Sequence, residues 1–371
     1  MKTSLRKIKR GTGLSAAVLG ASALVLTGCG APPAQEGGSG SPAAEATDYL
    51  GCIVSDSGGF DDRSFNQSSY EGLKMAEQDL GIKIREAESQ AETDFGPNVD
   101  AMVQADCNMI LTVGFLLGDV TKEAAADNPE TNFAIVDYND PEFTDNVKPI
   151  VYDTAQAAFL AGYAAAATSE TGKVATYGGM NIPTVTIFMD GFADGVDYYN
   201  QQKDANVELL GWDKKSQNGT FVGNFEDQGK GKTNTLNFIN EGADIIMPVA
   251  GPVGLGTLDA VIEANADGKD AKVVWVDSDG YETAGKAEEF ILTSVMKLMG
   301  TAVEEVIKTD TEGNFDSTPY VGTLENGGVA LAPFHDLDAA VSDDTKSELD
   351  TIKESIISGE IKVESKASPQ Q

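Results

Sequence analysis

Leu50-Gly-Cys-Ile-Val-Ser-Asp-Ser-Gly-Gly-Phe-Asp-Asp-Arg-Ser-Phe-Asn-Gln67 is the stretch whose reading decides the fold. It joins a short apolar, β-branched run (50–54) to a polar, glycine-containing loop. The loop opens a helix, because residues 70–80 carry apolar side chains three and four apart. The same strand–loop–helix unit recurs, with further apolar runs at 82–84, 109–113, 133–136 and 150–152. It then restarts after an alanine-rich helical segment, 154–169, with runs at 173–177, 207–210, 220–222, 245–249, 273–276 and 291–295. Repeated βα units predict mostly parallel sheets covered by helices on both faces. The expected class is therefore α/β, with two doubly wound lobes. The last helix is read at 346–358, capped at Ser342 or Asp343 and stopped by Gly359.

Such lobes bind ligands where strand C-termini meet helix N-termini. The strand ends here offer Asp56, Phe65 and Asn66 after the first run and Asp137 after the fourth. Further along stand Gly223-Asn-Phe225, Gly251, Asp277-Ser-Asp279 and Lys297. Carboxylates accept hydrogen bonds from vicinal hydroxyls or ring N–H groups, an amide both donates and accepts, and flat aromatic rings stack on a heterocycle. Together these suit a ribose carrying a base. The plainer readings are an N-cap for each Asp and a core position for each Phe. Asp61 and Asp62 read as helix-start carboxylates. Gly251-Pro-Val-Gly254-Leu-Gly256 lacks the spacing of a phosphate loop.

Residues 1–28 read as a signal peptide: Lys2, Arg6, Lys7, Lys9 and Arg10 precede a short apolar run. That run ends in Leu26-Thr-Gly-Cys29, which resembles a bacterial lipobox and makes Cys29 the expected lipid (palmitate-bearing) anchor to the cell membrane. Residues 29–48 read as a flexible tether. The 59 acidic and 26 basic residues give a net charge of −33, and removing 1–28 takes five positive charges and no negative ones, leaving −38. A polyanion of this kind repels nucleic acid. Cys52 and Cys107 each open an apolar run; they are expected either as one disulfide or as two buried thiols. The single histidine, His335, and the absence of a nucleophile elbow or His-rich spacing argue against an enzyme and against a bound metal. No cofactor is expected.

Asp56-Ser-Gly-Gly-Phe-Asp-Asp-Arg-Ser-Phe-Asn-Gln67 followed by Tyr70-Glu-Gly72 resembles the signature of the basic membrane protein family, the nucleoside-binding lipoproteins of ABC importers. The resemblance continues through Val113-Gly-Phe115, Phe133–Asp137, Gly178-Gly-Met180, Ile182-Pro183, Gly191-Phe192, Val222–Phe225, Pro248–Gly251, Val276–Asp279, Leu292–Lys297 and Ala332–Asp336. It implies a type I periplasmic-binding-protein fold, with three crossovers between the lobes. The expected division is 49–155 plus about 285–318 for lobe 1, 156–284 plus about 319–363 for lobe 2, and a frayed tail at 364–371. The resemblance further implies a base between Phe65 and Phe225, its edge held by Asp56, Asn66 and Asp137. The ribose falls to Asp277, Lys297 and Gly251, with Asp279 a rival to Asp277. Arg63 stands where relatives have lysine, and Gly-Asn-Phe225 replaces Gly-Ser-Phe.

The functional expectation is an extracytoplasmic, monomeric substrate-binding protein that captures nucleosides, purines first, for an ABC permease and ATPase. The rival readings are a surface lipoprotein without a transporter and an enzyme acting on nucleosides.

Overall fold

The structure, a computed structural model, describes residues 48–369. The proposed signal peptide and Cys29 lie outside the described residues, as does the tether up to residue 47. The first part of the chain runs β1 (Leu50–Ser57), α1 (Phe65–Leu80), β2 (Lys83–Ser89), α2 (Phe95–Val103), β3 (Met109–Val113), α3 (Gly118–Asp127), β4 (Asn132–Val136) and β5 (Val147–Tyr152). The second runs α4 (Thr154–Thr168), β6 (Lys173–Gly178), α5 (Pro183–Lys203), β7 (Glu208–Leu210), β8 (Trp212–Asp213), β9 (Asn218–Gly219), α6 (Gln228–Asn240), β10 (Ile245–Val249), α7 (Gly254–Ala266), β11 (Lys272–Asp277), α8 (Gly280–Thr283) and β12 (Ile291–Lys297). It closes with α9 (Met299–Thr311), β13 (Tyr320–Gly322), β14 (Val329–Leu331) and α10 (Asp343–Ile357).

Two six-stranded sheets result, in the order β13-β5-β4-β3-β1-β2 and β14-β12-β11-β10-β6-β7. All pairings in them are parallel except β12 with β14. Helices on both faces bury the central strands: β3 and β10 are buried throughout, which is why their sequences are continuous apolar runs rather than alternations. In α1 the buried face is Ser69, Gly72, Leu73 and Ala76, the spacing of one helical stripe. Alanine-rich α4 is buried nearly all round and packs closely on α5; a Cβ on Gly195 would fall 2.0 Å from the Phe159 carbonyl oxygen. α10 starts as its sequence predicts, with Ser342 Oγ accepting from the Thr345 N–H at 3.1 Å and two aspartates in the first turn.

The chain passes between the sheets three times, at Asp153, at Leu298 and over residues 323–328. This is the type I periplasmic-binding-protein arrangement. The crossings differ from the expected boundaries. β12, placed with lobe 1 by the sequence reading, lies beside β11 in the second sheet, with Asp277 opposite Met296. Only from Met299 does the chain reach the first lobe, where α9 packs on α1. β13, expected in lobe 2, pairs with β5 instead, Tyr320 opposite Ile150. An apolar run states that a strand is buried, not which sheet buries it. Residues 220–222, read as a strand, form a single bridge, Phe221 to Gly178.

The tail is seated rather than frayed as far as Pro369. Ser365 Oγ donates to buried Asp190 at 2.7 Å, and Ser368 Oγ donates to Asp153 at 3.2 Å. Cys52 and Cys107 are bridged, with Cα atoms 6.0 Å apart on neighbouring β1 and the turn entering β3. Among the described residues no helix is long and apolar enough to cross a membrane.

Candidate functional site

The C-terminal ends of β1, β4, β11 and β12 converge on one cavity, lined by Asp56, Phe65, Asn66, Asp137, Phe225, Gly251, Asp277 and Lys297. Every ligand-binding residue expected from the sequence is therefore brought together. Phe65 enters from the first lobe as the opening residue of α1. Phe225 enters from the second, its ring against the Gly179 backbone at the end of β6.

The loop after β1 is held by a buried carboxylate. Asp62 accepts from the backbone N–H groups of Ser64 (3.0 Å), Asn66 (2.8 Å) and Gln67 (3.0 Å), the donors that an α1 N-terminus leaves without intrahelical partners. That fixes Phe65 and Asn66 toward the cavity. Asn66 Nδ2 donates to Asp56 Oδ1 at 2.9 Å, while Asn66 Oδ1 is buried without a partner. The other Asp56 oxygen leaves no room for a side chain at residue 114, where a Cβ would stand 2.2 Å from it and φ is +121°; only glycine meets both conditions.

Asp137 and Asp277 occupy matching places at the ends of β4 and β11, and both adopt the left-handed region, φ 67° and 70°. Such a conformation is unfavourable for a residue with a Cβ and clusters at functional positions. Lys297 lies between them. Its ammonium donates to Asp137 and stands 3.3 Å from Asp277 Oδ1, with all three side chains less than a tenth exposed. The same nitrogen lies 4.9 Å from the Phe65 ring centre and 5.1 Å from that of Phe188. Ser64 Oγ donates to Asp277 at 3.1 Å, so the second lobe is also tied to the loop of the first.

Burial governs the charge states. It pushes the Asp56 carboxyl up to about 8, against the Asn66 hydrogen bond, so that at neutral pH this group is largely protonated. It pushes Asp62 to about 6 against three backbone donors, and raises Asp137 against the pull of Lys297. Burial also opposes the charge on Lys297, but the carboxylates of Asp137 and Asp277 hold it above the usual lysine range. The site can thus offer a carboxylic acid, a carboxylate pair, an amide and an ammonium between two aromatic rings.

Asp279 stands apart from this cavity. It caps α8 through the Tyr281 N–H and meets His335 Nε2 at 2.8 Å, and His335 stacks on Tyr281 with ring centres 4.1 Å apart. Phe115, Thr184 and Phe188 also line the cavity, outside the set expected from the sequence. Phe115 follows a strand and could have been found by that rule. Thr184 and Phe188 reach the site from the first turns of α5, which no strand-end search covers.

The cavity is narrow, about 60 Å³, below the roughly 300 Å³ at which ligand pockets begin. A ring system enters only if the lobes part. A second cavity of about 450 Å³ adjoins it and shares Phe115, Asp137, Thr184 and Lys297 as walls. Among the described residues no cluster of His, Cys, Asp and Glu is arranged to hold a metal ion.

The family model described as "ABC transporter substrate-binding protein PnrA-like" matches residues 51–367. The chain is 33% identical to the "ABC transporter nucleoside-binding protein BmpA" of Lactococcus lactis subsp. cremoris, over 96% of this chain and 99% of that one. It is 30% identical to "Basic membrane protein D" of Borreliella burgdorferi, over 82% and 85%. Among solved structures it resembles an ABC transporter solute-binding protein from Aeropyrum pernix K1, with a TM-score of 0.76, 27% identity, and coverage of 87% of this chain and 94% of that one.

Proposed function

The chain belongs to this PnrA-like family of ABC transporter substrate-binding proteins, and we propose that it captures nucleosides, purine nucleosides first, and delivers them to an ABC permease and its ATPase. In this reading the base lies between Phe65 and Phe225, with its edge at Asp56, Asn66 and Asp137. The ribose hydroxyls face Asp277, Lys297 and the Gly251 backbone. The protein works outside the cytoplasm as a monomer, anchored through lipid on Cys29.

The observation that carries the reading is the pairing of Phe65 and Phe225 on opposite lobes around one cavity that also holds Asp56, Asn66, Asp137, Asp277 and Lys297. Each aromatic contact to a base is worth about 1–3 kcal/mol, and closure of the lobes would engage both at once. The unpartnered Asn66 Oδ1 matches a ring or exocyclic N–H. The nucleoside-binding name of the Lactococcus relative points the same way.

The test is calorimetric titration and thermal unfolding of the protein, freed of co-purified ligand, with adenosine, guanosine, inosine, uridine and ribose. Purine nucleosides should bind and raise the unfolding temperature; at a hundredfold excess over Kd the stabilisation is about 2.7 kcal/mol. Binding of ribose with no response to any nucleoside defeats the assignment. Release of a Cys29→Ser variant from the cell membrane tests the anchor separately.

A further inference from the structure

We propose that Ser64 is a positioning residue for the sugar: its hydroxyl, reaching across from the first lobe, fixes the Asp277 carboxylate at which a ribose binds. The proposal rests on the nucleoside reading and adds to it a residue that touches no ligand yet sets the preference for ribose.

Ser64 stands at the N-cap of α1. A serine at that place ordinarily accepts, through its hydroxyl, from the second or third N–H of the helix. Ser64 makes no such bond. Asp62 takes those two donors instead, from Asn66 and Gln67, together with the N–H of Ser64 itself. The helix start is thus satisfied without the Ser64 hydroxyl, and the hydroxyl is turned to the second lobe.

There it meets the end of β11. Ser64 Oγ lies 3.1 Å from Asp277 Oδ2 and 3.2 Å from the Val276 carbonyl oxygen, and the residue is 0% exposed. A hydroxyl has one proton, and a charged acceptor holds it more strongly than a neutral one. A second bond crosses beside it, Ser278 Oγ donating to the Arg63 carbonyl oxygen at 3.0 Å. Arg63 and Asp277, one on each side of these contacts, have φ of 60° and 70°. Left-handed backbone of that kind persists only where its surroundings over-determine it.

The two oxygens of Asp277 have different surroundings. Oδ1 is buried and lies 3.3 Å from the Lys297 ammonium. Asp277 lines the cavity, so of its oxygens only Oδ2 is left to meet a ligand. That is the oxygen Ser64 holds. A carboxylate oxygen that accepts one hydrogen bond keeps a second lone pair for a ribose hydroxyl. With Ser64 in place that lone pair has a fixed direction; without it, Lys297 alone orients the carboxylate. Ser64 is buried behind the cavity wall, so its effect on a ligand runs through Asp277.

Calorimetry on the full chain, freed of co-purified ligand, tests this with adenosine and 2′,3′-dideoxyadenosine, which differ only in the two sugar hydroxyls. Ser64→Ala should weaken adenosine by about tenfold, roughly one hydrogen bond to a charged group, and change the dideoxy compound by less than about threefold. A merely structural role, or one in closing the lobes alone, would weaken both ligands equally, and that result overturns the proposal. Ser64→Cys keeps a side chain of similar shape with a weaker donor. It should lower the same affinity ratio, and it carries the test if the alanine variant does not fold. In an Asp277→Ala background, Ser64→Ala should cost adenosine less than about twofold more, because residues that act as a unit do not add. Additive losses overturn the proposal, as does unchanged adenosine affinity in both Ser64 variants. Wild-type protein that binds adenosine and the dideoxy compound alike keeps nucleoside capture but removes the ribose from Asp277, and the role of Ser64 with it. Failure of every nucleoside to bind the wild type defeats the underlying reading itself.

Discussion

Replacing Lys297 by methionine keeps the bulk of the side chain and removes the ammonium that Asp137 and Asp277 share. The three groups are almost fully buried, and the pair reaches from one lobe to the other. Removing one partner of such a pair leaves a charge without compensation and costs about 3–5 kcal/mol. The loss should depend on pH in a defined sense. Burial already raises the Asp137 carboxyl, and Lys297 is what opposes that rise. Without the ammonium the folded-state value climbs further. A carboxyl whose folded value exceeds its unfolded one contributes stability that is present below the unfolded value and lost as pH rises through the folded one. The Lys297→Met penalty should therefore be largest near pH 8 and shrink toward pH 5, by up to about 1.4 kcal/mol per pH unit. Urea unfolding followed by tryptophan fluorescence reads this well, because Trp212 and Trp275 are both buried in the second lobe. Adding Asp137→Asn should recover much of the loss. Wild-type stability at pH 8, or a larger penalty at pH 5 than at pH 8, would refute the reasoning.

Three further outcomes are expected. Phe65→Ala and Phe225→Ala should each weaken purine nucleoside binding by about tenfold or more while leaving a cooperative unfolding transition; unchanged affinity in both would move the site elsewhere. Asp56→Asn should gain stability relative to the wild type as pH rises from 4 to 8, because burial pushes the Asp56 carboxyl up to about 8; the upper bound is about 5 kcal/mol, and parallel stability curves would contradict it. Breaking the Cys52–Cys107 bridge, which spans 55 residues, by substituting both with alanine should cost about 4 kcal/mol, and two alkylatable thiols in the native wild type would show that no bridge exists.

How far these features were legible in the sequence depends on whether the deciding physics is local. β1, β3 and β4 announce themselves as apolar runs because both faces of a parallel sheet are covered, and Ser342 announces α10 because a cap is a contact between near neighbours. Cys52 and Cys107 could be suspected because each opens a strand, and adjacent parallel strands bring such openings together. The proposed ligand-binding residues follow the apolar runs, where the same rule looks, and their individual roles come from the family resemblance. Thr184 and Phe188 do not follow such runs, since they come from a helix that reaches the cavity across the lobe. The sheet to which β12 belongs is decided by its contacts with β11 and β14, which no property of Ile291–Lys297 encodes. The tail is polar and small, a composition that predicts fraying, yet Ser365 and Ser368 each find a carboxylate more than 170 residues away.

The crossings also bear on the order in which the molecule can form. The edge of the first sheet, β13, and the edge of the second, β14, are both supplied after residue 319. α1 waits for α9, and α4 waits for α10. No continuous stretch of the chain thus contains a whole lobe, and a ribosome-bound nascent chain cannot complete either half before synthesis is nearly over. Contacts of such long sequence separation form slowly, because the loop entropy is lost before the packing is gained. For a substrate-binding family that works outside the cytoplasm, such interleaving would act as a built-in delay, leaving both lobes incomplete until nearly the whole chain is available.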